Sequence, residues 1–140
     1  MNFLLLVHAF ASCFMTGLIW FVQIVHYPMF RDVGEDCFRA YEEKHQRLTT
    51  LVVAPVMLVE LGTSMLVFMQ ATPLSIERSA TWGGVLILVI WLSTALLQVP
   101  MHRQLEEGFS ERVCSRLVNT NWIRTVAWTA RGILSLTMLS

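Results

Sequence analysis

The sequence predicts an all-α fold: a single integral membrane four-helix bundle with an amphipathic helix between spans one and two. Three observations predict it. Hydrophobic residues make up 55% of the chain and charged residues 14%, whereas a soluble domain carries about 25% charged residues. The charges are also segregated: Phe3 to Phe30 has none, Leu48 to Met69 has only Glu60, Trp82 to Met101 has none, and Leu117 to Leu139 has only Arg124 and Arg131. A bilayer core is crossed by roughly 20 apolar residues, so spans are expected at about 3–28, 48–70, 81–101 and 117–139. With 140 residues, four spans leave no room for a second domain.

Span one has no basic residue before it and exceeds the length of a signal-peptide core, so it is expected to be a retained helix. The FASC at 10–13 is a poor match to a lipoprotein cleavage site. The span ends at HYPMF, 26–30, where Pro28 disfavours helical geometry at Tyr27. His26 should therefore occupy its last turn. In the following DCFRAYEEKHQRL, Phe38, Tyr41, His45 and Leu48 recur at spacings of three, four and three. That is one face of an amphipathic helix, with the intervening acids and bases facing water.

Span two carries Glu60, and the short outer loop 71–81 is punctuated by Pro73. Near the end of span three, Pro100 removes a backbone donor. Such a break is tolerated in a span where other groups satisfy the freed carbonyl, as a cavity or a packed polar cluster would. His102, Leu105 and Phe109 then form a stripe, with Arg103, Gln104, Glu106 and Glu107 as the wet face. In span four, Asn121, Arg124, Trp128 and Arg131 share one face at spacings of three, four and three.

Orientation follows from the basic residues. Arg31, Arg39, Lys44 and Arg47 lie between spans one and two, Arg103, Arg112 and Arg116 between spans three and four, and Arg78 alone on the other side. The positive-inside rule puts loops 29–47 and 102–116 in the cytoplasm and both termini outside it. The expected location is a bacterial inner membrane. An ionisable residue within a span should face inward and find a partner. At about 1.5 Å per residue, Glu60 lies roughly 18 Å beyond Leu48, while Arg131 and Arg124 lie roughly 21 Å and 10 Å beyond Leu117. Arg131 therefore matches Glu60 in depth, and Arg124 is left near the histidines.

His26, His45 and His102 are all expected at the cytoplasmic level of the bundle, together with Gln23, Gln98, Asn119, Asn121 and Arg124. Neutral imidazoles from several helices suit zinc, copper or iron, and three ligands with an open fourth position are the layout of a catalytic metal site. Two other readings stay open: interfacial histidines of the kind common at membrane surfaces, and proton transfer. There is no HxxxH or HExxH pair. His8, in the first half of span one, is either a hydrogen-bonded core residue or a haem ligand. Cys13, Cys37 and Cys114 have no CxxC spacing and are expected to be spectator thiols. A net charge of zero without a basic aromatic patch argues against nucleic acid as a partner.

The stretches LLVHAF (5–10), GLIWFVQIVHYPMF (17–30) and FRAYEEKHQRLTTLVVAPV (38–56) resemble HemJ-type protoporphyrinogen oxidases. TALLQVPMHRQL (94–105) followed by NTNWIRTVAWTAR (119–131) resembles anthrone-oxygenase-like proteins. Both belong to a broad group of small four-span membrane proteins that also includes CopD-like copper proteins. The first resemblance implies His8 as a haem ligand, although the basic residue expected near the end of span one is absent. The second implies Asn121, Trp122 and Arg124 as substrate-site residues. The resulting expectation is a transition-metal or haem-dependent redox or oxygenase-like enzyme acting on a small apolar substrate, with Glu60, Asn121, Trp122 and Arg124 as candidate catalytic residues and His26, His45 and His102 as metal ligands. The rival expectation is a non-catalytic accessory subunit of a larger membrane complex or homo-oligomer. A transporter ranks last, since no inverted repeat is visible.

Overall fold

The computed structural model describes residues 3–70 and 74–139. Helix α1 spans Phe3–Phe21 and continues into a π-turn, Val22–His26, and a 3-10 turn, Pro28–Asp32. Helix α2 spans Glu35–Gln70. Helix α3, Leu74–Ser93, passes through a π-turn, Thr94–Gln98, into α4, Val99–Glu106. Helix α5 spans Glu111–Thr137. The fold is an all-α helical bundle in which α2 packs against α1, α3 and α4, and α5 closes the ring against α1 and α3.

Three stretches are long and apolar enough to cross a membrane: Phe3–Asp32, Glu35–Gln70 and Ile76–Glu106. Helix α5 has the length, but Asn121, Arg124, Thr125 and Arg131 lie on its buried side and lower its average hydropathy. Large apolar side chains such as Phe10, Leu51, Leu88, Leu96 and Val126 point outward on every long segment. Inside, Met15, Ile19, Phe30, Phe38, Ile90, Leu105 and Trp128 form one continuous core.

Two local devices set the geometry. Both π-turns end two residues before a proline: Tyr27 N–H bonds to Val22 O five residues back at 3.0 Å, ahead of Pro28, and Val99 N–H bonds to Thr94 O, ahead of Pro100. Proline lacks the donor for the ordinary ladder and crowds the carbonyl four residues earlier. The wider turn absorbs that crowding and turns the following residues inward. The second device is Gly108, whose φ of 147° ends α4 and redirects the chain into α5. A side chain there would be strained.

Two boundaries differ from the sequence expectation. The amphipathic segment is not a separate helix, because residues 35–48 are the first turns of α2. With no glycine or proline between Glu35 and Leu48, nothing interrupts the backbone ladder. The outer loop is also shorter than 71–81, since α3 begins at Leu74. Ala71, Thr72 and Pro73 lie outside the described residues. Within the amphipathic segment, Phe38 is fully buried and Leu48 is 48% exposed. The face turned inward is therefore Phe38, Glu42 and His45, and Glu42 is not on a wet face.

Candidate metal centre and its cavity

At the end of the bundle where α1 leaves its π-turn and α4 begins, the packed helices bring four aromatic polar rings together. The ring centroids of His26 and His45 are 4.6 Å apart, those of His45 and His102 5.5 Å, and those of Tyr27 and His102 5.5 Å. Phe30, fully buried, meets His45 edge-on at 5.1 Å and separates the cluster from the loops.

The hydrogen bonds form a chain. His102 Nδ1 lies 2.5 Å from Glu42 Oε1, and its Nε2 lies 3.0 Å from the Tyr27 hydroxyl. His45 Nδ1 lies 2.8 Å from His26 Nε2 and 3.1 Å from Thr49 Oγ1. Gln46 Nε2 donates to Glu106 Oε1 at 2.7 Å and to Glu42 Oε1 at 3.3 Å, tying α2 to α4. Glu42 is fully buried, yet its Oε2 has no hydrogen-bond donor among the described residues. A buried carboxylate oxygen without a donor is costly unless a cation or proton compensates it.

Glu42, His45 and His102 each offer a ligand atom, and these atoms lie within 4.8 Å of one another. Metal–nitrogen bonds are about 2.0–2.1 Å, so the side chains would have to adjust for the three to share one ion. Two histidines and one carboxylate are a donor set for catalytic zinc and for non-haem iron(II). His26 occupies a different place from the one the sequence suggested. Its nitrogen faces His45 Nδ1, the position of an outer partner that accepts the N–H of a ligating imidazole and fixes its tautomer.

Beside this cluster lies a cavity of about 330 Å³ between α1, α2 and α3. Tyr27, His45, His102 and Arg124 line its polar end, and Met15, Ile19, Met57 and Leu58 its apolar end. Its rim includes Thr50, Leu58 and Val99, which are exposed on the flank of the bundle. A molecule can therefore reach the cavity sideways.

The remaining sequence candidates fall elsewhere. Glu60 accepts from Arg131 Nε at 2.9 Å, Ser12 Oγ at 3.0 Å and Trp128 Nε1 at 3.0 Å, and Arg131 also binds Ser64 Oγ and Gly83 O. This is a buried ion pair with a donor on each carboxylate oxygen, and Glu60 does not line the cavity. Asn121 is buried behind the cavity wall and donates to Gln23 Oε1 at 2.9 Å. Trp122 does not belong to the site. It is 41% exposed on the outer face of α5, edge-on to Trp20, because it sits one residue past Asn121 on the helix and so points away from the interior.

His8 pairs with Thr63 Oγ1 at 3.0 Å. The space beside it is about 10 Å³, too small for a macrocycle, so the haem-ligand reading of His8 does not fit this packing. The sequence reading missed Glu42, Tyr27 and Trp91. For Glu42 the signal was present: it lies three residues before His45 and four after Phe38, the spacing of one helix face.

The structure thus defines a class: a helical bundle with a His/Glu cluster opening on a mostly apolar cavity. No protein-family model, curated protein or solved structure matches this chain.

Proposed function

We propose that this chain is a four-span integral membrane protein that holds a first-row transition metal through Glu42, His45 and His102 and uses it in an oxygenase-like or other redox reaction on a small apolar substrate. The observation that carries the reading is the juxtaposition of a His/His/Glu set, including a buried carboxylate oxygen without a donor, with a laterally open cavity. The resemblance to anthrone-oxygenase-like proteins in TALLQVPMHRQL and NTNWIRTVAWTAR agrees with it. Bound iron(II) would supply oxygen activation. The chain's own residues do the rest. Glu42 supplies the negative charge that favours a cation in a low-dielectric site, His26 orients His45, and the apolar wall admits the substrate while excluding water. Tyr27, bonded to His102 at 3.0 Å and lining the cavity, is placed to hold or pass a proton at its hydroxyl.

The test is metal analysis with an absorption spectrum of detergent-purified protein. About one metal ion per chain is expected, with occupancy reduced at least tenfold in Glu42→Gln, His45→Ala and His102→Ala and more weakly in His26→Ala. Binding requires neutral imidazole and ionised carboxylate, so protons compete with the metal. Occupancy should fall as pH is lowered and recover on return to neutrality. Metal-free protein that does not take up iron(II) or zinc would end this reading.

A second reading, an accessory subunit whose polar cluster locks helices, is favoured by one observation: Gln46 links Glu42, Glu106 and the His102 carbonyl. It predicts a stoichiometric protein partner on purification and no metal.

A further inference from the structure

Not every buried charge in the bundle has a direct partner. Glu60 is matched by Arg131, and Glu42 faces His102. Arg124, only 8% exposed, has no carboxylate within ion-pair distance among the described residues, and its Nε has no hydrogen-bond partner. Its guanidinium lies 5.3 Å from the centroid of the Trp128 ring, and Tyr27 lines the same cavity. A phenol and an indole face soften the burial of a cation without cancelling its charge, and arginine does not shed its proton in proteins.

A second unpartnered donor lies at the same depth. Trp91 Nε1 is buried without an acceptor, and Trp91 lines the same cavity as Arg124. Depth follows from two cross-links between the antiparallel segments: Arg131 donates to Gly83 O, and Gln98 Nε2 donates to Thr120 Oγ1. Interpolating between them sets Arg124 opposite about residue 92, within one helical turn of Trp91. The wall around these two donors is apolar, formed by Met15, Ile19, Val53 and Met57.

We propose that the cavity binds a single-chain carboxylate, with its head between Arg124 and Trp91 and its alkyl chain along Met15, Ile19, Val53 and Met57 toward the lateral rim at Leu58. This deepens the reading of the cavity as a substrate site, and it does not depend on the metal. A monoanion gives Arg124 a direct counter-charge and gives both orphan donors an acceptor, and charge-assisted hydrogen bonds of this kind are the strong ones. A neutral alcohol would leave the charge uncompensated, and a cation would be repelled. The volume of about 330 Å³ is at the small end of ligand pockets, which run from about 300 to 1,000 Å³, so the chain is short.

The experiment uses the full chain in lipid nanodiscs, treated with a chelator, and titrated with decanoate, decanol and decyltrimethylammonium while tryptophan fluorescence and thermal unfolding are followed. Decanoate should bind saturably, at least tenfold more tightly than decanol, and raise the unfolding temperature. Decyltrimethylammonium should show no saturable binding. Arg124→Gln should reduce decanoate to the affinity of decanol, and Arg124→Lys should keep the preference for the anion. Trp91→Phe, which leaves every charge in place, should weaken decanoate several-fold and by more than it weakens decanol. Equal binding of decanoate and decanol by the wild-type protein, or a preference that survives Arg124→Gln, overturns the proposal. Should Arg124→Gln fail to fold, unchanged decanoate affinity in Trp91→Phe overturns it instead. Decanoate binding by protein that never takes up metal supports this inference while ending the metal reading, and metal uptake without decanoate binding does the reverse.

Discussion

Glu42 and Glu60 are both buried carboxylates at no more than 1% exposure, and their surroundings assign them different work. Glu60 has donors on both oxygens, from Ser12, Arg131 and Trp128, so neither oxygen is left without one. Glu42 keeps one oxygen without a donor. Removing one partner of a buried ion pair leaves the other charge uncompensated, which typically costs about 3–5 kcal/mol. Glu60→Gln should therefore lower the unfolding temperature markedly, while whatever protein remains folded binds metal as the wild type does. Loss of metal without loss of stability in that variant would move Glu60 into the functional site. Glu60 was legible in the sequence because it stands alone in an apolar run. Glu42 was masked, because its neighbours Glu43 and Lys44 give the segment the composition of a solvated surface, and only the helical phase of Phe38 and His45 reveals that one acid turns inward.

The elements that deliver the site are the two π-turns, each followed by a proline. Gln23 and Gln98 sit inside them, at 2% and 1% exposure, and both reach α5: Gln23 Nε2 donates to Val118 O at 3.1 Å and Gln98 Nε2 to Thr120 Oγ1 at 3.3 Å. Each wide turn is thus held from the side as well as caused by its proline. Pro28 and Pro100 were visible in the sequence as breaks. The π-turns were not, because a bond to the fifth residue back instead of the fourth is chosen by partners on another helix. A π-turn holds one residue more than an α-turn, and π-turns recur at functional sites. Returning it to α geometry would rotate everything beyond it by about 100°. Pro100→Ala restores the missing donor and permits that return, which would carry His102 away from Glu42 and Tyr27. The expected result is unchanged helical content by circular dichroism with at least a tenfold loss of metal occupancy. Full metal binding in Pro100→Ala would show that the α5 contacts alone hold the π-turn, and the proline would lose its assigned role.

For the whole molecule, the packing of α5 bears on whether it is a fourth membrane span beside the three segments long and apolar enough to cross. Its sequence average argues against it, because Arg124 and Arg131 are both charged. The packing argues for it: those two are 8% and 2% exposed, whereas Ile123, Val126, Ile133 and Leu136 on the opposite face are 43% to 63% exposed. A bilayer would meet the apolar face and never the charges, as expected for a span whose polar side is covered by neighbouring helices. The bundle also fixes which ends lie together. Arg39 donates to Glu106 O at 3.1 Å and to Glu107 O at 3.0 Å, and Arg31 pairs with Glu111 at 2.8 Å, so the segment joining α1 to α2 and the segment joining α4 to α5 share one end. That end carries Arg31, Arg39, Lys44, Arg47, Arg103, Arg112 and Arg116, against Arg78 at the other, and from this basic excess we propose that it faces the cytoplasm. A reporter inserted near Glu107 should therefore be active inside the cytoplasm and one fused after Ser140 active outside it. If both report from the cytoplasm, α5 does not span. Its outward apolar face would then need a protein partner in place of lipid, the arrangement the accessory-subunit reading requires.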